Sequence, residues 1–88
     1  MIVWKRRSGP IHYQSADHCY SVQEGYRWGR FGYAAMFTGC LHARALGPIR
    51  ETAEEARSDA EKFESGAVTW AELLVTLSWE KEQAEVRA

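Results

Sequence analysis

Two Thr-x-x-Glu capping boxes, Thr52-Ala53-Glu54-Glu55 and Thr69-Trp70-Ala71-Glu72, divide the second part of this chain into two helices before any other residue is considered. In each box the threonine hydroxyl and the glutamate carboxylate satisfy backbone donors that the first turn of a helix leaves open. Ser65-Gly66 between them supplies a left-handed stop. Ala53, Ala56, Ala60 and Phe63 then fall on one narrow stripe of the first helix, where alanines let its backbone approach a neighbouring layer. Trp70, Leu73, Leu74, Leu77 and Ala84 form the expected core stripe of the last helix. Val75, Trp79 and Val86 lie off that stripe. A helix apolar on two sides sits between two layers or offers one side to another chain, so Trp79 is expected either as a contact residue, including a homodimer contact, or partly buried beneath the N-terminal strand.

The first fifty residues change period. Alternation and turn residues predict short strands over residues 2–6, 11–14, 18–24, 31–37 and 41–46, closed by Ser8-Gly9-Pro10, Ser15-Ala16-Asp17, Thr38-Gly39 and Gly47-Pro48. Phe31, Tyr33, Ala35 and Phe37 share one face of the fourth. The expected fold is α+β: one domain over residues 1–88, with a small, strongly twisted antiparallel sheet (1–50) packed against two C-terminal helices (51–88). A chain of 88 residues buries only roughly 60–65% of the surface its unfolded form exposes, so its large apolar residues are all needed.

Against that scarcity, the segment from Glu24 to Tyr33 is extravagant: four aromatic rings, two arginines and three glycines in ten residues. Tyr, Trp and Arg anchor interfaces because they offer large area and directed hydrogen bonds at low entropy cost, and the same mixture stacks on nucleic-acid bases. Charge is also divided. Residues 1–50 hold seven basic and two acidic side chains, net +5, whereas residues 51–88 hold four basic and ten acidic, net −6. A basic half suits phosphates, and an acidic half suits a surface that itself binds nucleic acid.

The order of motifs resembles the small sheet-then-helix proteins that bacteriophages and prophages encode. Trp4-x-Arg6, Gly9-x-Ile11, Ser15-x-Asp17, Tyr20-x-Val22, Tyr33-x-Ala35, Leu46-Gly47 and Thr52-x-Glu54-Glu55-Ala56 carry the resemblance, which covers residues 2–64 and leaves the last helix outside. In size, acidity and lack of a catalytic motif the chain is similar to anti-CRISPR proteins. The resemblance implies a host-directed binding role and carries over no catalytic residue. A second resemblance, over residues 26–37, 41–47 and the helix from Thr52, is to the DNA-binding module of plant transcription factors and some phage integrases. It implies DNA contact by Arg27, Arg30 and Arg44, and the sparse basic sheet and acidic tail depart from it.

Chemistry has little to work with. Residues 30–37 approach an RNA-recognition strand but lack the glycine after Arg30, and no helix precedes them. His18, Cys19, Cys40 and His42 could supply four zinc ligands, yet adjacent strand residues point to opposite faces and no Cys-x-x-Cys knuckle is present. No nucleophile motif or phosphate-cradling loop occurs. No enzyme activity, metal or cofactor is expected. Two cysteines and the order Met1-Ile2-Val3-Trp4 before Lys5-Arg6-Arg7, the reverse of a secretory leader, lead to the expectation of a cytoplasmic protein in a bacterial host, with no membrane span. The expected partner is a host protein or ribonucleoprotein defence complex. One contact patch comprises Tyr26, Arg27, Trp28 and Arg30, and a second comprises Glu54, Asp59 and Glu61, with Trp79 as a further contact. Direct nucleic-acid binding through Lys5, Arg6, Arg7, Arg27, Arg30 and Arg44 is the rival.

Overall fold

A computed structural model gives the fold, and the described residues are 2–39 and 43–87. Five strands, β1 (Trp4–Arg6), β2 (Ile11–Ser15), β3 (Tyr20–Arg27), β4 (Arg30–Phe37) and β5 (Arg44–Ala45), form one antiparallel sheet in sequence order, followed by helices α1 (Ala53–Glu64) and α2 (Trp70–Arg87). This is the expected α+β arrangement. The start of the fifth expected strand, and Cys40 and His42 with it, lies outside the described residues. No helix is long and apolar enough to cross a membrane among the described residues.

Alternation along β3 and β4 assigns the two sheet faces. Tyr20, Val22, Glu24 and Tyr26 lie opposite Phe37, Ala35, Tyr33 and Phe31 on one face. α1 packs across that face, with Ala56 and Ala60 fully buried. The alanine stripe thus does what its spacing predicts. Ile2, Ala35, Leu46, Ala60 and Leu73 make the core, and Phe37, Phe63 and Trp70 close its lower end through ring contacts 4.5–6.2 Å between centroids. Both threonines cap their helices: Thr52 Oγ1 accepts from Glu55 N at 3.2 Å and Thr69 Oγ1 from Glu72 N at 3.3 Å, while each glutamate carboxylate accepts from the threonine hydroxyl. Gly66 takes the left-handed stop at φ 83°.

The turn before β3 is built as its residue types foretell. Ser15 Oγ donates to Asp17 Oδ1 at 2.6 Å, which also accepts from Cys19 N at 3.0 Å, while Tyr20 N donates to Ser15 Oγ at 2.9 Å. These bonds favour the ionised carboxylate and hold Asp17 below its ordinary 3.8, the Ser15 hydroxyl contributing most. The turn's contribution to stability is therefore present above that pH and is lost as pH falls through the lowered value. Followed by NMR, the Cys19 and Tyr20 amide shifts should titrate with a midpoint below 3.8. A midpoint at or above it contradicts the geometry.

α2 differs from α1 in how it is held. Among the described residues, no Cα of α2 comes within 8 Å of a strand or of α1. It runs from Phe63 and Phe37, where Trp70 packs, to the β3–β4 turn, where Lys81 lies 5.8 Å from the centre of the Trp28 ring. Its inward stripe is Trp70, Leu73, Leu77, Glu80 and Ala84, with Leu73 and Glu80 buried. Leu74, expected in the core, is exposed instead: one residue past Leu73 turns it about 100° around the axis, and among the described residues no second layer covers that side.

Candidate functional site

The end of the sheet away from the core is where unused aromatic area collects. Arg27 and Arg30 pair across a two-residue turn of Trp28 and Gly29. Both turn residues have positive φ, 55° and 78°, the type I′ pattern whose twist matches a hairpin and which favours Asn or Gly at its first position. A tryptophan there is an outlier, and such strain collects at functional sites. Just below the turn, Tyr26 and Phe31 meet edge to face at 5.3 Å, and the row continues through Tyr33 to His12 at 6.3 and 4.9 Å. A register shift between Ile11 and Tyr13 helps bring His12 to this row.

In this row Tyr26 is 79% exposed and Phe31 53%, and Trp28 at the turn above it is 48% exposed. The sheet's helix-covered face gives out here because α1 begins only at Ala53, and Phe31 emerges beyond it. Sequence periodicity places Phe31 with the inner face. It does lie on that face, at a point where nothing sits above it, and alternation carries no signal of where the covering helix starts.

The four residues of the expected hairpin patch have different roles. Tyr26, Trp28 and Arg30 are exposed together. Arg27 is not a free contact residue: its Nη1 donates to Glu80 Oε1 at 3.0 Å and to the Gly47 carbonyl at 3.1 Å. Glu80 Oε2 also accepts from Ile49 N at 2.7 Å. Glu80 thus ties β3, the segment at 47–49 and α2 together in a buried site, where such bonds are strong and their loss is costly.

The acidic patch on α1 is corrected by its own hydrogen bonds. Asp59, expected on the helix surface, is 7% exposed and accepts from Arg50 Nε and Nη2 at 2.8 and 2.9 Å. That bidentate bond holds the Arg50 guanidinium above even its ordinary pKa. Gly47 lies so close that a Cβ on it would fall 2.6 Å from Asp59 Oδ2. Asp59 is therefore a structural clamp, and reversing its charge would unfold the segment it holds. Glu54 and Glu61 are exposed but accept from Tyr13 Oη at 3.4 Å and Trp4 Nε1 at 3.0 Å, tying α1 to the first two strands. Nothing in the sequence distinguishes these carboxylates from solvated ones, since each partner is distant along the chain.

Trp79 is 62% exposed and walls a groove of about 560 Å³ between α2 and the segment at 48–51, with Arg30, Arg50, Glu51 and Glu55 around it. The N-terminal strand does not cover it: Trp4 packs edge to face on Tyr13 instead. Arg44, a candidate for DNA contact, lies 4.9 Å over the Trp70 ring. Among the described residues no cluster of three metal-ligating side chains occurs. No protein-family model, curated protein or solved structure matches this chain. Its function is thus read from its own geometry.

Proposed function

We propose that this chain is a non-catalytic binding protein that covers a surface on a host nucleic-acid-handling defence complex, in the manner of an anti-CRISPR protein. The supporting observation is Trp28, held in a left-handed conformation at a hairpin tip beside exposed Tyr26, Phe31 and Arg30. A residue that costs stability where it stands, half exposed at a hairpin tip next to the open Tyr26–Phe31 ring pair, suits an interface anchor. The rigid hairpin presents these side chains with little entropy left to lose on binding.

Direct nucleic-acid binding is the second reading, favoured by exposed rings beside Arg30, a combination that stacks bases. Of its arginines, Arg27 is committed to Glu80 inside the fold, while Arg44 stays exposed over the Trp70 ring. Affinity capture from a bacterial lysate, with and without nuclease, separates the readings. A stoichiometric host protein retained after nuclease supports inhibition, whereas nucleic acid lost on digestion supports the second reading. Trp28→Asn is the matched variant. Its fold should be unchanged or up to about 1 kcal/mol more stable, since asparagine tolerates the left-handed turn, while capture should fall at least about tenfold, as expected for truncating an anchor. Undiminished capture by a folded Trp28→Asn variant removes the hairpin from the interface.

A further inference from the structure

The outer side of α2 carries a second apolar stripe that the fold leaves uncovered. Val75, Trp79 and Val86 are 71%, 62% and 82% exposed, and with Glu82 they recur at alternating spacings of four and three residues, the seam of a helix that packs lengthwise on another element. The stripe lies opposite the inward residues Leu73, Leu77 and Glu80. Along the helix its surroundings are acidic: Glu72 and Glu85 are exposed beside it and Glu82 within its spacing. Across the groove from Trp79 stand Glu51 and Glu55 together with Arg30 and with Arg50, whose guanidinium Asp59 holds. The cation within this stretch, Lys81, is directed to the Trp28 ring.

We infer that this face docks on a protein partner through an apolar slot bordered by lysine and arginine side chains. The inference rests on the proposed function for there being a macromolecular partner, and adds the chemistry of that partner. Charge complementarity selects the occupant. A nucleic acid would bring phosphates against carboxylates. A second copy of this chain, meeting it through the same patch about a two-fold axis, would bring carboxylates against carboxylates. A basic, apolar-centred protein surface is attracted at the borders and buries the stripe at the centre.

The test uses the whole chain and two synthetic amphipathic helices with leucines at the same spacing, one bordered by lysines and the other by glutamates. The readout is the Trp79 indole N–H resonance, which Trp79→Ala assigns. The lysine peptide should shift Trp79, with affinity falling as salt rises. Replacing Glu72, Glu82 and Glu85 by glutamine should weaken it about tenfold, and the glutamate peptide should leave Trp79 unmoved. Equal response to both peptides, no response to the lysine peptide, or a concentration-dependent dimer abolished by Trp79→Ala each overturns the inference. The hairpin is judged separately by Trp28→Asn in capture, so either surface can fail while the other stands.

Discussion

Replacing Glu80 by alanine should destabilise the protein by about 3–5 kcal/mol, the usual cost of removing one partner from a buried ion pair. The variant leaves the buried Ile49 amide without its acceptor and leaves part-buried Arg27 with the Gly47 carbonyl alone. The effect on α2 should exceed the effect on the sheet. Among the described residues no Cα of that helix lies within 8 Å of another element, so Trp70 and Leu73 would hold its start while the part beyond Leu77 lost its buried hydrogen bonds. Against the roughly 5–15 kcal/mol typical of whole domains, this is a large fraction of the total. Urea unfolding would show a lowered midpoint, and hydrogen exchange would show the amides of residues 77–86 losing protection before those of β3 and β4. A midpoint shifted by less than about 1 kcal/mol would mean that Glu80 is not the attachment point. Glu80→Gln should fall between the two, since an amide keeps one acceptor but supplies a donor where Ile49 also donates.

Gly32→Ala should cost about 2–4 kcal/mol, combining overpacking with the loss of backbone hydrogen bonds. A Cβ at this position would lie 2.6 Å from Ile49 Cγ2 and still nearer the Arg50 carbonyl oxygen. The side chain of Ile49 can turn aside, but the carbonyl cannot. It accepts from Tyr33 N at 2.9 Å while Arg50 N donates to the Tyr33 carbonyl at 2.7 Å, and Asp59 grips the same residue's guanidinium. The chain must break that reciprocal pair or bend β4. The double variant Gly32→Ala/Ile49→Ala should therefore recover little of the loss, because the backbone obstacle remains. Thermal unfolding of the single and double variants tests this, and near-complete recovery in the double variant would place the obstacle at Ile49 instead. Gly25, directly across the ladder from Gly32, has open space for 4 Å around the point where a Cβ would stand and should accept alanine with little change.

Much of this fold is legible along the chain because its signals are local. A threonine and the glutamate three residues on see each other whatever surrounds them, and Ser65-Gly66 stops a helix by its own backbone preference. β2, β3 and β4 follow from alternation with errors of only a few residues at their ends, where pairing partners decide how far a strand runs. The site is less legible because it depends on what lies above each side chain. Phe31 and Phe37 alternate identically, yet Phe37 is roofed by Phe63 and Trp70 and Phe31 is open. Likewise Asp59 and Glu80 read as solvated helix residues until Arg50, 9 residues earlier, and Arg27, 53 residues earlier, fold onto them. The excess of rings between Tyr26 and Tyr33 is visible in the residues themselves. Which of their neighbours are committed to the fold is decided by pairings across the chain.

The sheet ends in a three-residue β1 bearing exposed Lys5 and Arg6 on one side and a two-residue β5 on the other. Among the described residues both margins are short, and a short, charged margin is how proteins discourage ribbon-to-ribbon association. A partner at these margins finds little main chain to pair with and reads the molecule through side-chain relief instead. Recognition of that kind concentrates in few positions, so under the proposed function single substitutions at the hairpin tip are expected to erase it.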